Sequence, residues 1–101
     1  MAADSLAIAT HLYRIAQEAV SNAVRHSRAR NVAIRLRGQA GKIELTIADN
    51  GTGLAAAARK RTGMGLHIMD YRARTIEGVL HVGPGRRGGT VVSCCIPQAR
   101  R

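Results

Sequence analysis

Phenylalanine and tryptophan are missing from this 101-residue chain, and its aromatic side chains are Tyr13 and Tyr71 alone. A core must therefore be assembled from Ala, Val, Ile and Leu. Nucleic-acid modules that stack bases on exposed aromatic platforms are disfavoured for the same reason. Acidic residues are scarce too. Six of them against sixteen basic ones leave a formal net charge of +10, and every basic residue except Lys42 and Lys60 is Arg. That balance suits polyanionic partners. There are only two prolines, and a chain 46% hydrophobic and 22% charged is globular in composition, not disordered. Its length fits one domain that buries about two-thirds of the surface its unfolded chain would expose.

Long hydrophobic runs are also absent. The longest, Leu54 to Ala58, falls far short of the roughly 20 residues that span a bilayer. No apolar stretch follows a charged start at Met1, so the expectation is a soluble, unexported, cytoplasmic chain without membrane contact. Cys94 and Cys95 are adjacent in a period-two segment. They would point to opposite faces of a strand, which makes a disulfide between them geometrically poor and fits a reducing compartment. Metal-type cysteine spacing does not occur.

From Ile8 to Val24, the residues Leu12, Ile15, Ala16, Ala19, Val20, Ala23 and Val24 recur at helical spacing after Ser5 or Thr10 as N-cap. The basic run Arg25, His26, Arg28 and Arg30 suits the negative end of that helix. The period then falls to two. Val32, Ile34 and Leu36 alternate with Ala33, Arg35 and Arg37, and Ile43, Leu45 and Ile47 alternate with Glu44, Thr46 and Ala48, which predicts a hairpin. With Gly38 to Gly41 as its loop, Leu36 would pair with Ile43, Ile34 with Leu45, Val32 with Ile47, and Arg35 with Glu44. A second helix is expected over Met64 to Ile76, with Leu66, Ile68, Met69, Ala73 and Ile76 inward and Gly78 as its stop. Strands at Val79 to Val82 and Thr90 to Ile96 follow, with Pro97 outside. The segment Leu54 to Thr62 has no period-matched face and is expected to be a mobile loop. Helices layered on one sheet are the implied α+β architecture.

Four stretches can carry chemistry. Glu18, Asn22, Arg25 and His26 lie along one helix stripe, where a carboxylate, an amide oxygen and a cation could hold hydrated Mg and the phosphates it bridges; the same spacing also suits a solvated face. Asp49, before Asn50-Gly51-Thr52-Gly53, could accept a hydrogen bond from an exocyclic amine where glycines let a flat ligand approach, or form a plain turn. Gly63-Met64-Gly65 opens a helix whose N–H groups suit an anion. It lacks the third glycine of a dinucleotide fingerprint, and no Walker loop is present. Arg59, Lys60 and Arg61 precede it. Gly88-Gly89 precedes Thr90.

Together, the string Gln17 to Ser27, Asp49 to Gly53, Gly63-Met64-Gly65-Leu66 and Gly88-Gly89-Thr90 resembles the ATP-binding catalytic domain of two-component sensor histidine kinases, over about Leu12 to Pro97. The Glu-Ala-x-x-Asn-x-x-Arg-His string and the short lid are most similar to the nitrate-sensor and DesK-like branch. The resemblance implies the Bergerat ATP-binding fold, a two-layer α/β sandwich with a mixed, mainly antiparallel sheet, and a single catalytic domain over residues 1–101 with its core at about 8–97. It implies that Asn22 is the Mg ligand and Glu18 its polar or general-base neighbour, and that Arg25 contacts phosphate. Asp49 would bind the adenine amino group, and Gly51 and Gly53 would make room for the nucleotide. Gly63, Gly65 and Leu66 would close over the phosphates, and Thr90 would assist adenine recognition. His26 would support the helix end.

The implied activity is transfer of the γ-phosphoryl group of ATP to a histidine on a dimerising helical domain, and onward signalling to a response regulator. None of His11, His26, His67 or His81 has the sequence context of that acceptor, so the chain reads as a catalytic domain separate from its phosphoacceptor domain. The lid phenylalanine of other branches is missing. Two alternatives compete: an anti-sigma-factor-type serine kinase of the same fold, and a non-catalytic basic module for nucleic acid.

Overall fold

The computed structural model describes residues 5–26, 28–51, 64–86 and 88–97, with only the backbone at residue 64. The expected mobile loop at 54–62 lies outside these residues. In chain order the elements are α1 (Ser5–Arg25), β1 (Val32–Gln39), β2 (Lys42–Asp49), α2 (Met64–Thr75), β3 (Val79–Pro84) and β4 (Thr90–Pro97). The strands form one sheet in the order β1-β2-β4-β3, and all three pairings are antiparallel.

Helix α1 exists because its apolar residues share a stripe: Leu12, Ile15, Ala19 and Ala23 are buried, and Ala16 and Val20 pack partly against them. Val24, expected on that stripe, is 60% exposed. Thr10 falls inside the helix, which already runs at Ser5. In α2 the residues Met69 and Ala73 are fully buried, and Ile76 is buried just beyond its end, while Ile68 points outward. These side chains meet Leu45, Ile47, Val92, Cys94 and Ile96 from one face of the sheet. Two layers result, with alternate residues of β4 buried in the core.

The hairpin differs from expectation in its register. Ala40 and Gly41 alone make the loop, both at positive φ (49° and 76°), and the strands pair Ile34 with Ile47, Leu36 with Leu45 and Arg37, not Arg35, with Glu44. A two-residue turn with both residues left-handed matches the twist of the strands, so Gly38 and Gln39 are absorbed into β1. The shift is two residues, so the apolar residues keep the expected face. Ile34 and Leu36 are nevertheless 55% and 62% exposed, because β1 is an edge strand.

Helix α2 ends in a Schellman arrangement: Gly78 N–H donates to Ala73 O (2.7 Å) and Glu77 N–H to Arg74 O (3.0 Å). Glu77, with φ 60°, takes the left-handed position expected of a glycine. Gly78 serves a different purpose. A Cβ there would lie 3.1 Å from Ile96 Cγ1 and 3.2 Å from Cys94 Sγ, so any side chain at this entry to β3 would press on the core. Strand β3 runs on to Pro84, and Pro97 pairs with Lys42 as the last residue of β4. Cys94 and Cys95 are both free and do face opposite sides. Burial, with Cys95 adjacent, pushes the Cys94 thiol from its ordinary value near 9 up to about 11, which keeps it protonated and unreactive at neutral pH.

Candidate nucleotide site

Helix α1 supplies the first wall. Glu18 and Asn22, one turn apart and both half-buried, converge on the start of α2. A Cβ on Gly65 would run into Glu18 Oε2 and lie 3.3 Å from Asn22 Nδ2. The glycine is thus what lets the two polar side chains approach the N-terminal turn of α2, where backbone N–H groups lack helical partners. A second tie between the helices lies nearer the start of α1. There Arg72 Nη1 is 3.3 Å from His11 Nδ1, which must accept because a guanidinium only donates. Arg25 and His26 extend the stripe and are exposed; His26 N–H donates to Asn22 O (2.9 Å) at the helix end.

The sheet supplies the second wall. Asp49 ends β2, half-buried, and its Oδ1 accepts a hydrogen bond from Gly51 N–H at 2.8 Å. Ala48 pairs with Val91, so one further step of the register sets Asp49 beside Thr90, the one buried polar residue among those described. Both fall on the helix-covered face by alternation. Gly89, at φ 76°, approaches the same corner: a Cβ there would strike the Asp49 carbonyl oxygen and lie 2.8 Å from its carbon and 3.0 Å from Asn50 Cα. Asn50 was not singled out in the sequence. Its Oδ1 accepts from both Arg30 N–H and Asn31 N–H at 2.9 Å, and its own N–H donates to Asn31 O at 3.2 Å. The turn after Asp49 is thereby fastened to the segment leaving α1. The visible signal was Asn in an Asp-Asn-Gly turn, whose side chain commonly bonds backbone.

Glu18, Asn22 and Gly65 thus meet at the start of α2, and Asp49, Gly51 and Thr90 meet at the ends of β2 and β4. Leu66 is half-buried and packs against the core. Gly53 and Gly63 lie outside the described residues. Oxygen atoms, a helix N-terminus and glycine-lined approaches suit a polyanion with a flat polar ring more than a covalent nucleophile.

Residues 7–100 match the family model of the histidine kinase-, DNA gyrase B- and HSP90-like ATPases. The chain belongs to this family. It is an ATP-binding domain of the kind carried by sensor histidine kinases, and the Bergerat architecture expected of it is present. It is 38% identical over 91 residues to the nitrate/nitrite sensor protein NarX of Escherichia coli K12, which spans 89% of this chain and 15% of that protein. It is 37% identical over 93 residues to the sensor histidine kinase LiaS of Bacillus subtilis, 92% of this chain and 26% of that one. The chain therefore spans about a quarter or less of these relatives' length. Among solved structures, the ATP-binding domain of PrrB from Mycobacterium tuberculosis shares the fold with a TM-score of 0.76 and 23% identity, covering 90% of this chain and 69% of that chain. The serine-kinase and nucleic-acid alternatives find no counterpart in these relatives. Among the described residues, no helix is long and apolar enough to cross a membrane.

Proposed function

We propose that this domain binds ATP with Mg between α1, the start of α2 and the ends of β2 and β4, and presents the γ-phosphoryl group to a histidine of a separate helical domain. The observation that carries this reading is the convergence of Glu18 and Asn22 on Gly65, together with Asp49, fixed by Gly51, at the end of β2. Asp49 accepts the adenine amino group and Thr90 supports the ring. Arg25 and the N–H groups at the start of α2 meet the phosphates. No three His, Cys, Asp or Glu side chains converge as a metal cage among the described residues. That pattern suits Mg, which takes most of its ligands from phosphate and water; Asn22 Oδ1 would hold it, beside Glu18. Once bound, the ion neutralises charge on the phosphates.

In the transfer, a nitrogen of the acceptor histidine forms a bond to the γ-phosphorus while the bond to the bridging oxygen breaks and ADP departs. Positioning and charge neutralisation are what such a reaction demands of the protein. The partners are the dimerisation and phosphoacceptor helices of a longer kinase and, through them, a response regulator, all on the cytoplasmic side. Alone, the chain binds nucleotide and does not phosphorylate itself.

Calorimetric titration of the 101-residue chain tests this reading. ATP should be preferred over GTP, whose ring offers a carbonyl where adenine has the amine. Asp49→Asn keeps the acceptor for Gly51 N–H but loses a charge-assisted bond, and should weaken ATP binding about ten- to a hundredfold. Asn22→Ala should remove the Mg dependence and abolish transfer to a supplied histidine-bearing domain. Unchanged ATP affinity in Asp49→Asn overturns the adenine assignment.

A further inference from the structure

The segment leaving α1 is rich in arginine, and the fold brings another arginine to it from far along the chain. Arg28 and Arg30 are exposed there. Asn50 Oδ1 holds the backbone N–H groups of Arg30 and Asn31, and Gly89 lies against the backbone of Asp49 and Asn50. Gly85 N–H donates to Gly89 O (3.1 Å), so Arg86, exposed on the same β3–β4 loop, is carried to this corner. No carboxylate among the described residues pairs with the guanidinium group of Arg28, Arg30 or Arg86. Of the described acids, Asp49 adjoins the corner, and its Oδ1 is engaged by Gly51 N–H. Glu44 stands opposite Arg37 further along the hairpin. Asp70 and Glu77 lie toward the far end of α2, beside the start of α1, because the helices run antiparallel, with His11 at Arg72 and Glu18 at Gly65. Arg28 also takes φ 54°, in the turn that Ala29 N–H closes on Ala23 O (3.0 Å). Glycine adopts that backbone freely and asparagine with little strain, whereas arginine is disfavoured in it. Folding alone gives no reason for arginine at this position, which directs attention to its side chain.

We propose that Arg28, Arg30 and Arg86 form a docking corner for an acidic polypeptide segment, one in which several Glu or Asp residues follow one another. Guanidinium forks take carboxylates in paired N–H···O bonds, a geometry that lysine does not offer. Like charges gathered on two adjoining loops repel, and clustered carboxylates relieve that repulsion. Nucleic acid is the wrong occupant, because its affinity is built from many phosphate contacts along an extended track, and the three arginines are confined to two short loops. The aromatic side chains that could stack bases, Tyr13 and Tyr71, stand on the helices and not at this corner. A second copy of the chain does not fit either. Its acids are dispersed, the closest pair, Glu44 and Asp49, being five positions apart. The occupant comes from outside these 101 residues.

The test titrates the full chain, at physiological salt, with a Glu octapeptide and with an eight-nucleotide thymidine strand. Calorimetry should give the peptide the higher affinity, and hydrogen exchange should show protection at residues 28–31 and 85–89. Two triple variants remove the same charge from exposed positions: Arg28→Asn with Arg30→Gln and Arg86→Gln at the corner, and Arg14→Gln with Arg35→Gln and Arg37→Gln away from it. The first should weaken peptide binding about tenfold or more and the second about twofold or less. ATP affinity should match the parent in both, since none of these side chains is placed at the nucleotide. Arg28→Asn alone should raise Tm while weakening peptide binding, the two effects running in opposite directions. Equal losses in the two triple variants, higher affinity for the thymidine strand, loss of ATP binding in the corner variant, or a full-affinity Arg28→Asn would each overturn the proposal.

Discussion

Three glycines separate the demands of binding from those of folding. Gly65 sits in the first turn of α2, where alanine would be favoured by at most about 1 kcal/mol, and the atom its Cβ would strike is the end of the flexible Glu18 side chain. Gly65→Ala should therefore fold at least as stably as the parent while losing about tenfold or more in ATP·Mg affinity, as Glu18 is pushed from its place. Parallel thermal melts and calorimetry would read the two effects in opposite directions. Gly89 has no such escape. Its neighbours are the backbone of Asp49 and Asn50 and its φ is 76°, so Gly89→Ala combines overpacking with a left-handed alanine and should cost roughly 2–5 kcal/mol. Gly88, at φ 96° with nothing within 4 Å of a Cβ, should lose only about 1–2 kcal/mol as alanine. Urea denaturation of the two variants should rank them in that order.

At the scale of elements, turns and caps decide register and direction. The β1–β2 turn holds Ala40 at φ 49°, a conformation that alanine tolerates poorly and asparagine well. Ala40→Asn should stabilise the domain by about 0.5–1 kcal/mol, seen as a rise of several degrees in Tm, with no change in nucleotide binding at the distant end of the hairpin. An unchanged or lower Tm would mean that the turn is not the one described. The end of α2 shows a similar division of labour. Glu77 makes the left-handed turn, and Gly78 spends its missing side chain on the approach to Ile96 and Cys94. The sequence places a glycine near the helix end, and only the packing reveals which requirement it meets.

For the whole molecule, a core without Phe or Trp distributes its stability over many small aliphatic contacts. Ile15, fully buried where α1 meets the sheet, should cost about 2–5 kcal/mol as alanine, a large share of the 5–15 kcal/mol usual for a domain. A ligand that binds only the folded state offsets such a loss. ATP·Mg at a hundred times its dissociation constant adds about 2.7 kcal/mol, worth on the order of 10 °C for a domain of this length. Ile15→Ala should accordingly regain that much Tm with ATP·Mg, and the same variant carrying Asp49→Asn should not. Equal recovery in both would place the nucleotide away from Asp49.

The family and most of the faces of the elements were legible in the sequence because the motifs and periodicities that mark them are local. Helical spacing set Glu18 and Asn22 on one stripe, period two put Leu45 and Ile47 on one face, and the Asp49-Asn50-Gly51 turn declared itself by residue type. The register of the hairpin was not legible, since Gly38 to Gly41 offers two glycines and the strands alternate equally well on either side of a two-residue shift; the left-handed pair Ala40-Gly41 decided it. Nor was the exposure of Ile34 and Leu36, because an apolar residue carries no mark of standing at an edge. Likewise, the close approaches at Gly65, Gly78 and Gly89 arise between segments far apart in the chain, brought together only by the tertiary packing. Local pattern determined the elements and most of their inward faces, because periodicity is a property of neighbouring residues; packing between distant segments decided the register, the exposure of Val24, Ile34, Leu36 and Ile68, and which side chains meet.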